Sequence, residues 1–367
     1  MTGPARLARQ TQMRREIYEQ PESLRRAISG GVDVTRAIAE DMSRREIDLI
    51  LIAARGTSDH AALYAQYLFQ YQLGIPVALA TPSVHTLYGA TLRLPHALVI
   101  GISQSGEAPD VVEVMSRARM AGALTVAITN VENSPLAMTS DQTLFCRAGD
   151  ERSVAATKTF TTTCVLLAQL AAALARDDEL RRAIDGVPDL VTEALACESV
   201  VQQVTQRYVH ARDCVVLGRG FLYSIARETA LKLEETCYVV ATPFSTADFR
   251  HGPAALIERG MPVIAFAPPG RTAEQSHDLL RWLREREADC VVVGEDGALL
   301  DLATVPIPLR LPALSGTSGT RGAVSVDERL APLAYIIPGQ LFALHLALHK
   351  GLNPDQPRGL TKVTYTR

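Results

Sequence analysis

The second half of the chain repeats the first at a fixed interval, and few folds accommodate such a pattern. CVVLGRG places Arg219-Gly220 where the first half has Arg55-Gly56, an offset of 219 − 55 = 164. The same interval separates VIAF at Val263 from VIGI at Val99, Val291 from Ala127, and IPLRL at Ile307 from TLFCR at Thr143. One coincidence would carry little, but four in register indicate a duplicated unit. LILIAA from Leu49, VALAT from Val77, ALVIGIS from Ala97, LTVAITN from Leu124 and TLFCRA from Thr143 are short apolar runs, several of them rich in β-branched residues, as in buried parallel strands. Helical stretches lie between them. HAALYAQYLFQYQLG closes at Gly74, and a segment from Asp110 carries apolar residues at Val111, Val112, Met115 and Met120. This alternation predicts a doubly wound α/β sheet of five parallel strands, built twice.

The repeats divide the chain into an expected helical leader at 1–45, a first domain at 46–185, a second at 186–335, and a closing helix with a polar tail at 336–367. The leader is predicted to break at Gln20-Pro21 and again at Gly30-Gly31. The halves meet near Arg176–Val187, where Gly186 and Pro188 stop a charged helix. SGTSGTRGAVSVDE reads as an insertion loop, and PGQLFALHLALHKG as the helix that closes the core.

Chemistry concentrates first at Ser103-Gln104-Ser105-Gly106-Glu107, between the strand ALVIGI and the helix after it. A strand that turns tightly into a helix leaves the helix's first N–H groups unpaired and pointing at one spot, which makes an anion site. Two hydroxyls and a glycine there suit a phosphate monoester, although the same residues would also serve an ordinary capped turn. The second half has Ala267-Pro268-Pro269-Gly270 at this place, without hydroxyls. It carries instead the helix SIARETALKLEETCY, where Glu228, Lys232 and Glu235 fall near one face, and then the loop FSTADFRHGP with His251. A solvated ion pair and a surface histidine are the plainer alternatives for these groups.

Composition narrows the function. With a net charge of −3 the chain has no basic excess for nucleic acid or an anionic membrane. Six scattered cysteines without a CxxC pair suggest buried thiols in a reducing cytoplasm. The N-terminus shows no apolar signal core, and the longest apolar helical run, Thr163–Ala175, is too short to span a bilayer. The eight histidines show no HxH or HExxH spacing and no GxGxxG follows a strand, so neither a metal nor a nicotinamide cofactor is expected.

ARGTSDH, SQSGE, VAATKTFTTT, LGRG, ALKLEE, RHGPAALI, the MPVI strand and DQPRGLTK occur in this order. Together they resemble the sugar isomerase (SIS) family, and within it the isomerase half of glucosamine-6-phosphate synthase, over nearly the whole chain. The resemblance implies two tandem flavodoxin-like SIS domains. It implies that Ser103, Gln104, Ser105 and Gly106, with Thr57 and Ser58, hold the substrate phosphate. Glu235 matches the isomerising base, Lys232 a supporting neighbour, and His251 a ring-opening group supplied by the partner subunit of a homodimer. Lys362 matches a tail lysine that meets the sugar carbonyl. The resemblance also implies that Arg358 anchors that tail and that Gly56, Glu107 and Val154 lie in blocks that position substrate or tail.

Three departures modify the expectation. Thr2 stands where the synthase's glutaminase nucleophile, a cysteine, would follow Met1, so the chain is expected to draw no ammonia from glutamine by itself. Ala108 replaces the family's threonine after SGE, and Arg55 replaces the cysteine of CGTS. ARGTSDHAALYAQYLF and LGRGFLYS look closest to glutaminase-free type II glucosamine-6-phosphate deaminases. The implied reaction opens the pyranose ring, a task suited to histidine, and moves a proton between C2 and C1, a task for one carboxylate. A glutaminase-lacking synthase, a fructosamine-phosphate deglycase and a non-catalytic phosphosugar sensor are the alternatives.

Overall fold

In the computed structural model, which describes residues 10–312, 314 and 326–362, ten strands form two sheets of one connectivity. The described residues begin with α1 (Gln12–Tyr18) and α2 (Gln20–Ser43). The first sheet then follows as β1 (Leu49–Ala53), α3 (Thr57–Leu73), β2 (Val77–Leu79), β3 (Ala97–Ile102), α4 (Pro109–Met120), β4 (Leu124–Thr129) and β5 (Gln142–Phe145), ordered β2-β1-β3-β4-β5. After α5 (Lys158–Ala175) comes the second: β6 (Asp213–Gly218), α6 (Tyr223–Cys237), β7 (Val240–Ser245), β8 (Pro262–Ala267), α7 (Ala273–Glu285), β9 (Asp289–Gly294) and β10 (Val305–Pro308). Its order is β7-β6-β8-β9-β10, the same path, and every pairing in both sheets is parallel. The structure therefore has the duplicated, doubly wound flavodoxin-like fold. The central strands β3 and β4 are buried along their whole length, which is why they read as unbroken apolar runs.

Two compact units form around the sheets. Of the described residues, one comprises Glu22–Glu151, Lys158–Asp185 and Thr361–Lys362; the other comprises those up to Pro21, Arg152–Thr157 and those within Gly186–Leu360. The leader is thus shared, α1 going to the second-repeat unit and α2 from Glu22 onward to the first. The helix α8 (Ala331–His349) packs in the second unit. The expected insertion loop from Ser315 and the tail beyond Lys362 lie outside the described residues.

Four local expectations need correction. α2 runs straight through Gly30-Gly31, because these glycines lie where a Cβ would collide with the side chains of Arg147 and Gln169. They permit close packing rather than a break. In α4 the buried stripe is Val111, Val114, Met115 and Ala118, while Met120 is 78% exposed. α8 begins seven residues before Pro338, which sits inside it and deprives the Ala334 carbonyl of its helical donor. Finally, α5 and α8 have 18 and 19 residues and are apolar enough to cross a membrane by length and composition; 83% and 94% of them is buried inside the fold, so they serve as core helices. All six cysteines are free and buried.

The second unit is tied together by one carboxylate. Glu198 accepts from Nε and Nη2 of Arg14, both at 2.7 Å, from the Tyr18 hydroxyl, and lies 3.1 Å from His345 Nε2. It thereby joins α1 to α8. Burial alone would raise its pKa, but the bonds from His345, Arg14 and Tyr18 hold it well below the usual range. A carboxylate depressed in the folded state adds stability above its unfolded value of about 4.3 and loses it as pH falls through that value toward the folded one. Glu198→Gln should cost about 1.5–3 kcal/mol at neutral pH and flatten the decline of stability below about pH 4. Urea titrations across pH measure both; an unchanged acid limb would exclude Glu198 as its source.

Candidate active site

The turn from β3 into α4 is braced on several sides. Gly106 has φ +67, which a side chain rarely adopts, and a Cβ there would run into Ser134 Oγ. Its N–H donates to Ser103 Oγ at 3.1 Å, and Glu107 N donates to Ser105 Oγ at 3.3 Å. The Gln104 carbonyl accepts from Asn130 N at 3.0 Å and from Thr129 Oγ1 at 3.3 Å, at the end of β4. Both serines thus accept from backbone as an ordinary turn requires, yet each keeps a hydroxyl proton to donate to an anion. Ala108, the N-cap of α4, makes no side-chain cap bond. In the same unit Gly56, with φ +53, precedes Thr57 and Ser58 in the first turn of α3.

The pseudo-equivalent turn of the second repeat is filled from within. Gly270, with φ +110, answers Gly106 at the offset of 270 − 106 = 164, and a Cβ there would meet the Glu328 carboxylate. Arg271 N donates to Glu328 Oε1 at 2.7 Å. The sequence shows this turn without hydroxyls; the structure adds that an internal carboxylate already occupies it.

On α6 the three charged residues are in contact, and they are not a solvated pair. Lys232 Nζ donates to Glu235 Oε2 at 2.6 Å and lies 3.3 Å from Glu228 Oε1. Lys232 and Glu228 have no side-chain exposure, whereas Glu235 keeps 21%. Burial by itself would lower the Lys232 pKa, but the two carboxylates outweigh it and raise it above the ordinary lysine value. The pair of carboxylates thus favours the charged amine, and Glu235 is the end of the triad open to solvent. α8 packs close to this helix at Gly339, where a Cβ would strike the Thr229 side chain.

The other predicted residues fall as follows. His251 is exposed in the turn after Thr246–Phe249, and its ring makes no hydrogen bond or ion pair among the described residues. Arg358 stacks over the Tyr238 ring at 4.0 Å while its N–H donates to the Tyr238 hydroxyl at 2.8 Å, just past α6. Val154, half-buried, lies in the segment whose Arg152 and Ser153 N–H groups donate to Glu16. Lys362 donates to Glu151 Oε2 at 2.8 Å. Glu151 was not singled out in the sequence: it has no side-chain exposure and also accepts from Thr159 N and Oγ1 at 3.1 and 2.7 Å, at the start of α5. Ser103–Glu107, Gly56–Ser58 and Lys362 belong to the first-repeat unit; Glu235, Lys232, His251, Val154 and Arg358 belong to the second. Among the described residues no three His, Cys, Asp or Glu side chains gather to hold a metal ion.

Known proteins match both repeats. A SIS domain model matches residues 45–173 and 208–298. The chain is 37% identical over 355 residues to the isomerizing glutamine–fructose-6-phosphate aminotransferase of Pyrococcus horikoshii, covering 95% of this chain and 57% of that protein. It thus spans a little over half the length of the curated relatives it matches. Among solved structures, the C-terminal domain of glucosamine-fructose-6-phosphate aminotransferase from Francisella tularensis superposes with TM-score 0.83 at 28% identity, over 95% of this chain and 98% of that one. A candidate phosphosugar isomerase from Silicibacter pomeroyi gives TM-score 0.81 at 34% identity, over 94% and 100%. Two matches to one domain model, one in each repeat and each on a sheet of the same strand order, place this chain in the SIS domain family.

Proposed function

We propose that this chain is a phosphosugar isomerase that converts glucosamine 6-phosphate and water to fructose 6-phosphate and ammonia. The observation that carries the reading is the α6 triad, in which a buried lysine grips a carboxylate that still reaches solvent. Such a carboxylate is positioned to take the C2 proton of the opened sugar and return it at C1. The resulting ketimine adds water and releases ammonia. In this reading His251 moves the ring-opening proton, contributed across a homodimer. Ser103, Gln104, Ser105, Gly106, Thr57 and Ser58 hold the phosphate, Lys362 meets the carbonyl, and Arg358 fixes the tail. Six buried free cysteines support a reducing, cytoplasmic setting.

A second reading runs the same proton transfer toward amination of fructose 6-phosphate, and the names of the relatives favour it. Incubating the purified chain with glucosamine 6-phosphate, and separately with fructose 6-phosphate plus ammonium or glutamine, distinguishes them. Ammonia release in the first mixture supports deamination; amino sugar formed only in the second would reverse the assignment. Binding is separable from chemistry. Ser103→Ala should cost about 1–3 kcal/mol, read mainly as a raised KM, because the phosphate is held alike in ground and transition states. A fall in kcat at unchanged KM would remove Ser103 from the phosphate site.

A further inference from the structure

Parallel pairing sets Ala53 opposite Gly101, so the chain leaves β1 and β3 side by side. The sheet order reverses between these strands, with β2 beyond one and β4 beyond the other, which is where doubly wound sheets open a crevice. Arg55 lies in the first turn past β1 and reaches both helices that begin there. Its carbonyl accepts from Ser58 N at 3.0 Å and Asp59 N at 3.3 Å, in the first turn of α3. Its Nε donates to Asp110 Oδ2 at 2.7 Å, in the first turn of α4. Asp110 is 1% exposed and its Oδ1 accepts from Val111 N at 2.9 Å, so this end of the pair is fixed. The arginine side chain is 52% exposed, and the donors on its terminal nitrogens lie beyond the Nε bond.

With only its arginine end exposed, the pair could serve simply to join the two helix starts. Its position gives it a second task. Asp110 is a buried carboxylate in the first turn of α4, directly after the turn read above as a phosphate cradle, and Glu107 on that turn is exposed. Both would oppose a phosphate. Ala108, at the N-cap between them, contributes no side-chain bond. A guanidinium tethered through Nε neutralises Asp110 and presents a planar fork that fits phosphate oxygens. We propose that Arg55 is a further phosphate-binding residue of this chain, with Asp110 as its tether; the inference rests on the reading of Ser103–Glu107 as the phosphate cradle.

Calorimetric binding of a non-reacting hexitol 6-phosphate, inorganic phosphate and the unphosphorylated hexitol tests this in four variants. Arg55→Gln should weaken both phosphate-bearing probes about ten- to a hundredfold and reduce the salt dependence of their binding, without affecting the unphosphorylated hexitol. Arg55→Lys should recover part of the loss. Asp110→Asn keeps a side-chain oxygen to accept from Arg55 Nε, so the tether can persist, while it removes the competing charge; phosphate affinity should hold or rise, and a fall matching Arg55→Gln would mean that only the ion pair matters and would overturn the proposal. Unchanged affinity in a folded Arg55→Gln protein, with affinity lost in Ser103→Ala, would remove Arg55 and leave the cradle standing. No loss in either would remove the cradle as well.

Discussion

Replacing Glu235 by glutamine is expected to lower turnover by roughly a hundredfold or more while phosphosugar affinity stays near that of the wild type. The substitution keeps the shape and a hydrogen-bond acceptor for Lys232 Nζ, now 2.6 Å from Oε2, but replaces the solvent-reaching carboxylate of the triad with an amide that is not basic. Glu228 cannot substitute, because its side chain has no solvent exposure. Binding energy for the phosphate should be untouched, since the proposed function assigns it to the turn after β3. Steady-state kinetics beside calorimetry with a hexitol phosphate separates the two quantities. Normal turnover in a folded Glu235→Gln protein would make α6 a structural helix and favour a phosphosugar sensor over an enzyme.

The strands and their duplication were legible because burial on both faces writes itself as short apolar runs, and because Val99 and Val263 or Ala127 and Val291 keep their interval. What escaped depends on packing or on distant partners. Gly30-Gly31 carries the composition of a break, and only the approach of Arg147 and Gln169 reveals why glycine stands in a continuous helix. Glu151 gave no local signal, since the lysine it holds, Lys362, lies 211 residues away. Arg55 and Asp110 are 55 apart and meet only because β1 and β3 are neighbours. The spacing of Glu228, Lys232 and Glu235 was visible from the helical period, but spacing is silent on burial, and burial is what separates this triad from a solvated pair.

That burial leads to the second large effect. Lys232→Met should destabilise the protein by about 3–5 kcal/mol, because it withdraws the cation from a fully buried Glu228 and leaves two carboxylates facing the same space. The loss should depend on pH in a determined direction. Without the lysine, burial and mutual repulsion disfavour the charged forms, so the carboxylate pKa values rise in the folded state. A group whose folded pKa is raised contributes its stability below the unfolded value, about 4.3 for Glu, and loses it as pH climbs through the folded value. Lys232→Met should therefore lie nearest the wild type in acid and furthest from it at neutral pH. Adding Glu228→Gln removes the stranded charge, and the double variant should regain most of the stability, since a buried ion pair exchanged as a whole costs little. Turnover should remain low in that double variant, because Glu235 still lacks the cation that orients it. Urea titrations at several pH values read the stability and a fixed-time assay reads the turnover. A Lys232→Met protein within about 1 kcal/mol of wild type at neutral pH would mean that water reaches Glu228, and the triad could then no longer be treated as a buried unit.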